Sequence, residues 1–150
     1  MKMLKMAVAA AFVLGASQAY AADLVTKQSP HSVGTTVDRL IAAVKGAGAK
    51  VFARIDHAAG AKSVGMKLRP TQMVMFGNPK LGTPALQADQ TSGLDLPLRV
   101  VVYQDNSGQV FLAYHAPAKL SQDHGVPKGA KVLKKMTGAL NKLTNKAIAK

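Results

Sequence analysis

Three residue types are missing from the 150-residue chain: cysteine, tryptophan and glutamate. The absence of cysteine excludes disulfides, thiol nucleophiles, Cys-ligated zinc and iron–sulfur clusters together. The absence of glutamate means that all seven acids are Asp, set against 20 Lys+Arg for a formal net charge of +13. Several short fingerprints are absent as well. There is no GxxxxGKS/T phosphate loop and no GxGxxG dinucleotide turn. Nor is there a GxSxG nucleophile elbow or an HxH, HxxxH or HExxH metal spacing. What is present is a 48% hydrophobic content, enough to build a core and to exclude wholesale disorder. The length fits one domain.

The N-terminus reads as a secretory signal peptide over residues 1–21. Lys2 and Lys5 form a positive start, Met6 to Ala16 is apolar apart from Gly15, and Ala19-Tyr20-Ala21 offers the small residues of a cleavage site. The apolar run is well short of the roughly 20 residues of a membrane-spanning helix. The reading therefore predicts export, to the periplasm or the medium, with residues 22–150 as one processed domain lacking a transmembrane segment.

Along that domain, Leu24 to Lys27 starts extended and Ser29-Pro30 breaks it. Ser32 or Thr35 can cap a helix carrying Val37, Leu40, Ile41 and Val44 at helical spacing, ended by Gly46 and Gly48. Val51, Ala53 and Ile55 alternate with Phe52 and Arg54, predicting a half-buried strand. Gln72 to Phe76 predicts a buried strand ended by Gly77-Asn78-Pro79. Leu81 to Gln90 predicts a short helix that Gly82 and Pro84 restrict to its first turn. Leu98 to Gln104 and Gln109 to His115 form the clearest strand pair, joined across Asp105-Asn106-Ser107-Gly108. Residues 128–150 hold seven lysines and no acid, with Leu133, Met136, Leu140, Leu143 and Ala147 repeating as an amphipathic helix. This order predicts an α+β fold, a mostly antiparallel sheet of four to five strands with two main helices on one face.

Three stretches carry a resemblance: Phe52-Ala53-Arg54-Ile55-Asp56-His57, Phe76-Gly77-Asn78-Pro79-Lys80-Leu81-Gly82-Thr83 and Asp95-Leu96-Pro97-Leu98-Arg99. In this order and spacing the chain resembles domain-of-unknown-function family 302 over about Leu24 to Pro117. The resemblance implies a compact α+β domain able to pair as a homodimer, and it implies no established activity.

Chemistry-bearing residues gather at the predicted strand ends. In Phe76 to Thr83, backbone N–H groups with Lys80 and the Thr83 hydroxyl could hold a phosphate or carboxylate. The competing reading is a strand-ending turn whose geometry Asn78 and Pro79 set. Asp56 beside His57 offers an oriented imidazole for acid/base work, or else Asp56 caps a turn and His57 packs beneath it. Asp95 could join Lys80 or Arg99 in the same pocket, or serve as a salt-bridge partner. Met66, Met73 and Met75 could serve copper with a histidine, but Met73 and Met75 lie two apart on one strand face as core methionines do, and core packing is the expected role.

The leading expectation is an exported non-catalytic domain that binds a small anionic ligand or a partner protein through His57, Asn78, Lys80, Gly82, Thr83 and Asp95. An alternative is a small enzyme using His57 as general acid/base with Asp56 orienting it. A second alternative is attachment to an anionic surface through Lys128, Lys131, Lys135, Lys142 and Lys146. No cofactor or metal is expected. Nucleic acid is not expected either, because the basic helix has no aromatic platform for bases.

Overall fold

The computed structural model describes residues 23–150. The signal peptide expected over residues 1–21 lies outside them.

The chain runs β1 (Leu24–Ser29), α1 (Val33–Gly46), β2 (Lys50–Asp56), α2 (His57–Ser63), β3 (Thr71–Gly77) and α3 (Pro79–Ala88). A 3₁₀ turn over Gln90–Leu94 leads to β4 (Leu98–Gln104), β5 (Val110–His115), α4 (Lys119–Asp123) and α5 (Lys131–Ile148). The strands form one antiparallel sheet in the order β1-β5-β4-β3-β2. The fold is thus α+β, with α1 and α5 packed on one sheet face. Residues paired directly across antiparallel strands share a face. Val74, Phe76, Val100, Val102, Leu112 and Tyr114 accordingly form the helix-covered face, buried with Val37, Leu40 and Val44 of α1 and Leu140, Leu143 and Ala147 of α5.

Local chemistry explains the element ends. Ser32 caps α1 by accepting the Thr35 N–H, and Gly48 takes a positive φ of 71° where the chain turns into β2. In the β4–β5 hairpin, Asp105 Oδ1 accepts the N–H groups of Ser107 and Gln109, and Gly108 has φ 82°. At the far end of α5, the Arg39 guanidinium donates to the carbonyls of Lys146, Ala147 and Ala149. A cation on the last carbonyls also opposes the negative end of the helix dipole. From β1, Lys27 Nζ donates to Asn141, Thr144 and Asn145 of α5, and its partial burial lowers the lysine's pKa.

Three sequence expectations need correction. The uniform alternation in β2 is interrupted, because the register shifts between Val51 and Ala53 and leaves Phe52 as an extra residue. Val51 faces the helices, whereas Ala53 and Ile55 pair with Met75 and Met73 on the opposite face. Arg54 is thereby turned to the helix side, where it reaches Asp38 of α1 at 2.6 Å. The third helix begins earlier than expected, with Pro79 in its first turn, and it runs through Pro84 to Ala88. The methionines of β3 are not in the main core either. Met73 and Met75 lie half-buried on the face that the helices leave open.

Candidate functional site

Antiparallel pairing separates the residues expected to converge. Asp56, at the exit of β2, pairs with Gln72 at the entry of β3, whereas Asn78 follows the exit of β3. The length of a seven-residue strand, roughly 20 Å, lies between these positions. His57 therefore shares no site with Asn78, Lys80, Gly82, Thr83 or Asp95. Its neighbour is also committed elsewhere. Asp56 Oδ1 accepts the Ala59 N–H at 2.9 Å as the cap of α2, and Oδ2 accepts from Gln72 at 3.3 Å. Among the described hydrogen bonds none joins Asp56 to the exposed His57 ring, so the oriented dyad of the acid/base reading does not form.

At the other end of the sheet, Asn78 acts as a cap. Its side-chain oxygen accepts the Lys80 N–H at 2.9 Å, and its carbonyl accepts those of Leu81 and Gly82 at 2.8 and 2.9 Å. Pro79 has no N–H to offer. The first-turn donors that a bound phosphate would need are thus already occupied, and Lys80 itself is exposed.

Behind this cap the elements leave a cavity of about 390 Å³. Its floor is Phe76 and Leu98 of the sheet, and its walls are Leu81 and Leu86 of α3, Leu96-Pro97, and Met136 and Leu143 of α5. Phe52, pushed out by the β2 bulge and 50% exposed, stands at the mouth. Asn78, Gly82 and Thr83 belong to the lining as well. Lys142 is its one charged side chain. Such a volume, apolar with a few polar groups, suits a small organic molecule. Lys80 and Asp95 are not part of this lining.

Asp95 instead holds one wall in place. Its carboxylate accepts from Arg99 at 3.0 Å and stands 2.8 Å from His124 Nε2. The His124 side chain is 6% exposed, and its Nδ1 lies 2.9 Å from the Thr91 hydroxyl. Thr91 in turn donates to Asp89 at 2.6 Å, and Asp89 also accepts the N–H groups of Thr91 and Gly125. A Cβ on residue 125 would stand 2.9 Å from Asp89 Oδ2, so a side chain there would displace the carboxylate from this network. This network ties residues 89–99, which carry a cavity wall, to the segment before α5. Beneath Asp95 and Arg99 lies only a hollow of about 40 Å³, lined also by His115 and Lys119.

The network has a pH consequence. The Thr91 hydroxyl, then the Gly125 and Thr91 N–H groups, hold the Asp89 pKa down to about 2. A carboxylate depressed in the folded state stabilises fully above its unfolded pKa and loses that contribution as pH falls through the folded value. Wild-type stability will fall between about pH 4 and pH 2. Asp89→Asn will be less stable at pH 7 and will show a flatter acid limb in urea titrations. An unchanged acid limb in the variant would contradict this assignment.

The lysines of the basic segment divide. Lys128 precedes α5, and Lys131, Lys135 and Lys146 are exposed along it, as is Lys142 beside the cavity. Among the described residues none of the five has a carboxylate within ion-pair distance.

Comparison with known proteins places this arrangement in a family. A crystal structure of an uncharacterised conserved protein from Bacillus stearothermophilus superposes with a TM-score of 0.67 at 21% identity, covering 85% of this chain and 97% of that one. Over 103 residues the sequence is 48% identical to proteins named fluoride-specific ion channels from Brucella suis biovar 1 and Brucella abortus biovar 1. That stretch is 69% of this chain but only 41% and 38% of those proteins. The Bacillus protein is itself described as a member of the domain of unknown function DUF302, and the model of that family matches residues 25–143 here. The chain belongs to the DUF302 family.

Proposed function

We propose that this is an exported, non-catalytic binding domain that takes a small, largely apolar molecule into the cavity between β3, α3 and α5. The observation that carries this reading is the cavity itself, about 390 Å³ with Lys142 as its one charged lining residue. Well-packed interiors leave few voids larger than a water, so an apolar hollow of this size at the end of a sheet is the default binding site. Export rests on the leader-like residues 1–21. The Brucella relatives, of which the matched stretch is 41% and 38%, support a domain that can be joined to a longer protein. No described helix here is long and apolar enough to cross a membrane.

The test fills the hollow. Ala139 lies on its α5 wall. Wild type will bind 1-octanol saturably, and Ala139→Phe will lose at least about tenfold in affinity while retaining cooperative unfolding. Equal binding by a folded variant would remove the cavity from consideration.

A second reading, self-association, has its own observation. All the main helices pack on one sheet face, and the other presents Met73, Met75, Val101, Tyr103 and Phe111 half-buried. Near the same strand ends Val64 and Met66 are 70% and 67% exposed. A contiguous apolar surface of this kind suits a second copy of the chain. Wild type will sediment as a dimer and Val101→Lys as a folded monomer; a monomeric wild type at tens of micromolar would contradict it. The outward lysines of α5 form an electrostatic attractor for anionic surfaces, and their effect will fade with added salt.

A further inference from the structure

We infer that the molecule held in the cavity is an anionic amphiphile, a carboxylate or similar head on a short apolar chain, with its head at Lys142 and Lys50. This rests on the cavity being a ligand site and adds the class of ligand. Size comes first. At roughly the 30 Å³ that a water occupies in the liquid, the cavity has room for about a dozen non-hydrogen atoms. The floor and walls named above are apolar, so most of those atoms must be hydrocarbon.

Charge decides the head. Lys142 is exposed while lining the cavity, which puts it at the mouth. Lys50, outside the lining itself, has its Nζ 5.3 Å from the centroid of the Phe52 ring, and that ring lines the cavity. Among the described residues neither lysine has a carboxylate partner. The nearby acids are consumed: Asp89 by Thr91 and Gly125, Asp95 by Arg99 and His124. The mouth is therefore positive and unneutralised. Asn78 and Thr83 belong to the lining, and no described hydrogen bond uses the Asn78 amide nitrogen or the Thr83 hydroxyl.

The same geometry argues against a bare inorganic anion. The first-turn N–H groups of α3 are all taken by Asn78, so no cradle of donors is left for phosphate. An apolar tail is what would anchor the ligand, and the lysines select the sign of its head.

Calorimetric titration at pH 7 and low salt, with octanoate, 1-octanol, octylammonium and inorganic phosphate as probes, tests this. Octanoate will bind about tenfold more tightly than 1-octanol, octylammonium more weakly than 1-octanol, and phosphate not measurably. In the Lys50→Met/Lys142→Met double variant, octanoate will bind no more tightly than 1-octanol does to the same variant. Equal binding of octanoate and 1-octanol by wild type would overturn the anionic head and leave the cavity as a site. A tenfold preference that survives the double variant would overturn the role of the two lysines. Binding of none of the three octyl probes would overturn the cavity reading beneath it. Phosphate binding as tightly as octanoate would show that no tail is needed and would likewise overturn the inference.

Discussion

A chain ended at residue 130 will fail to fold, showing no cooperative transition in heat or urea and no stable near-UV circular dichroism. The lysine-rich helix that it lacks supplies buried residues to both apolar clusters. On α5, Val132, Leu133 and Met136 close the smaller apolar cluster with Ala85, Leu120 and Val126, and Leu140, Leu143 and Ala147 close the larger one against the sheet. Burying five large apolar side chains contributes about 1.5–3 kcal/mol each. Their sum is comparable with the roughly 5–15 kcal/mol that separates folded from unfolded domains. The Arg39 and Lys27 side chains would also lose the acceptors that α5 provides. By contrast, changing Lys131, Lys135 and Lys146 to Gln will leave stability within about 1.5 kcal/mol, since exposed substitutions each cost about 0.5 kcal/mol or less. A truncated chain with a cooperative transition would show that α5 is an appendage.

Phe76→Ala will cost about 3–5 kcal/mol of unfolding free energy and leave a marginal domain. Phe76 is 1% exposed, sits on the interior strand β3 between Val51 and Leu98, and forms part of the cavity floor. Its removal leaves a void continuous with a hollow already present. Neighbouring side chains on rigid strands can fill little of it, so the cavity cost adds to the lost burial. Phe76→Leu retains much of the volume and will cost about half as much or less. Urea denaturation of the two variants reads the difference directly. Equal and small losses would mean that the region repacks freely, contrary to a preformed cavity.

The elements were legible in the sequence wherever periodicity and caps agreed. Ser32 before Val37-Leu40-Val44, the Asp105–Gly108 turn and the Leu133–Ala147 stripe each announce their structure, because local hydrogen bonding and one-sided burial select the same conformation. The β2 bulge was not legible. A single extra residue, Phe52, reverses the facing of all that follows, and only the pairing with β3 reveals it. The start of α3 was hidden for a similar reason. Gly82 and Pro84 argue against a helix, yet the Asn78 cap and Pro79 in the first turn outweigh them.

The candidate site was half legible. Asn78, Gly82 and Thr83 do line one hollow with Lys142, which the sequence presents only as a surface lysine. His57 was misleading because sequence proximity to a strand end does not say which end of the sheet that is. Asp95 carries a role that the sequence offers only as an alternative, an ion pair with Arg99, completed by a histidine 29 positions away that no spacing rule connects to it. The cavity itself has no sequence signature. It is volume left between Phe52, Leu86 and Ala139, three residues from separate elements whose patterns describe only their own packing.

The most direct test of the account is a residue-by-residue amide NMR titration of the domain with 1-octanol. The account predicts saturable shifts confined to the residues around the cavity, among them Phe52, Gly77, Leu81, Leu86 and Ala139, with the His57 end of the sheet unmoved. Shifts gathered around His57 and Val64, or no saturable shifts at all, would contradict it.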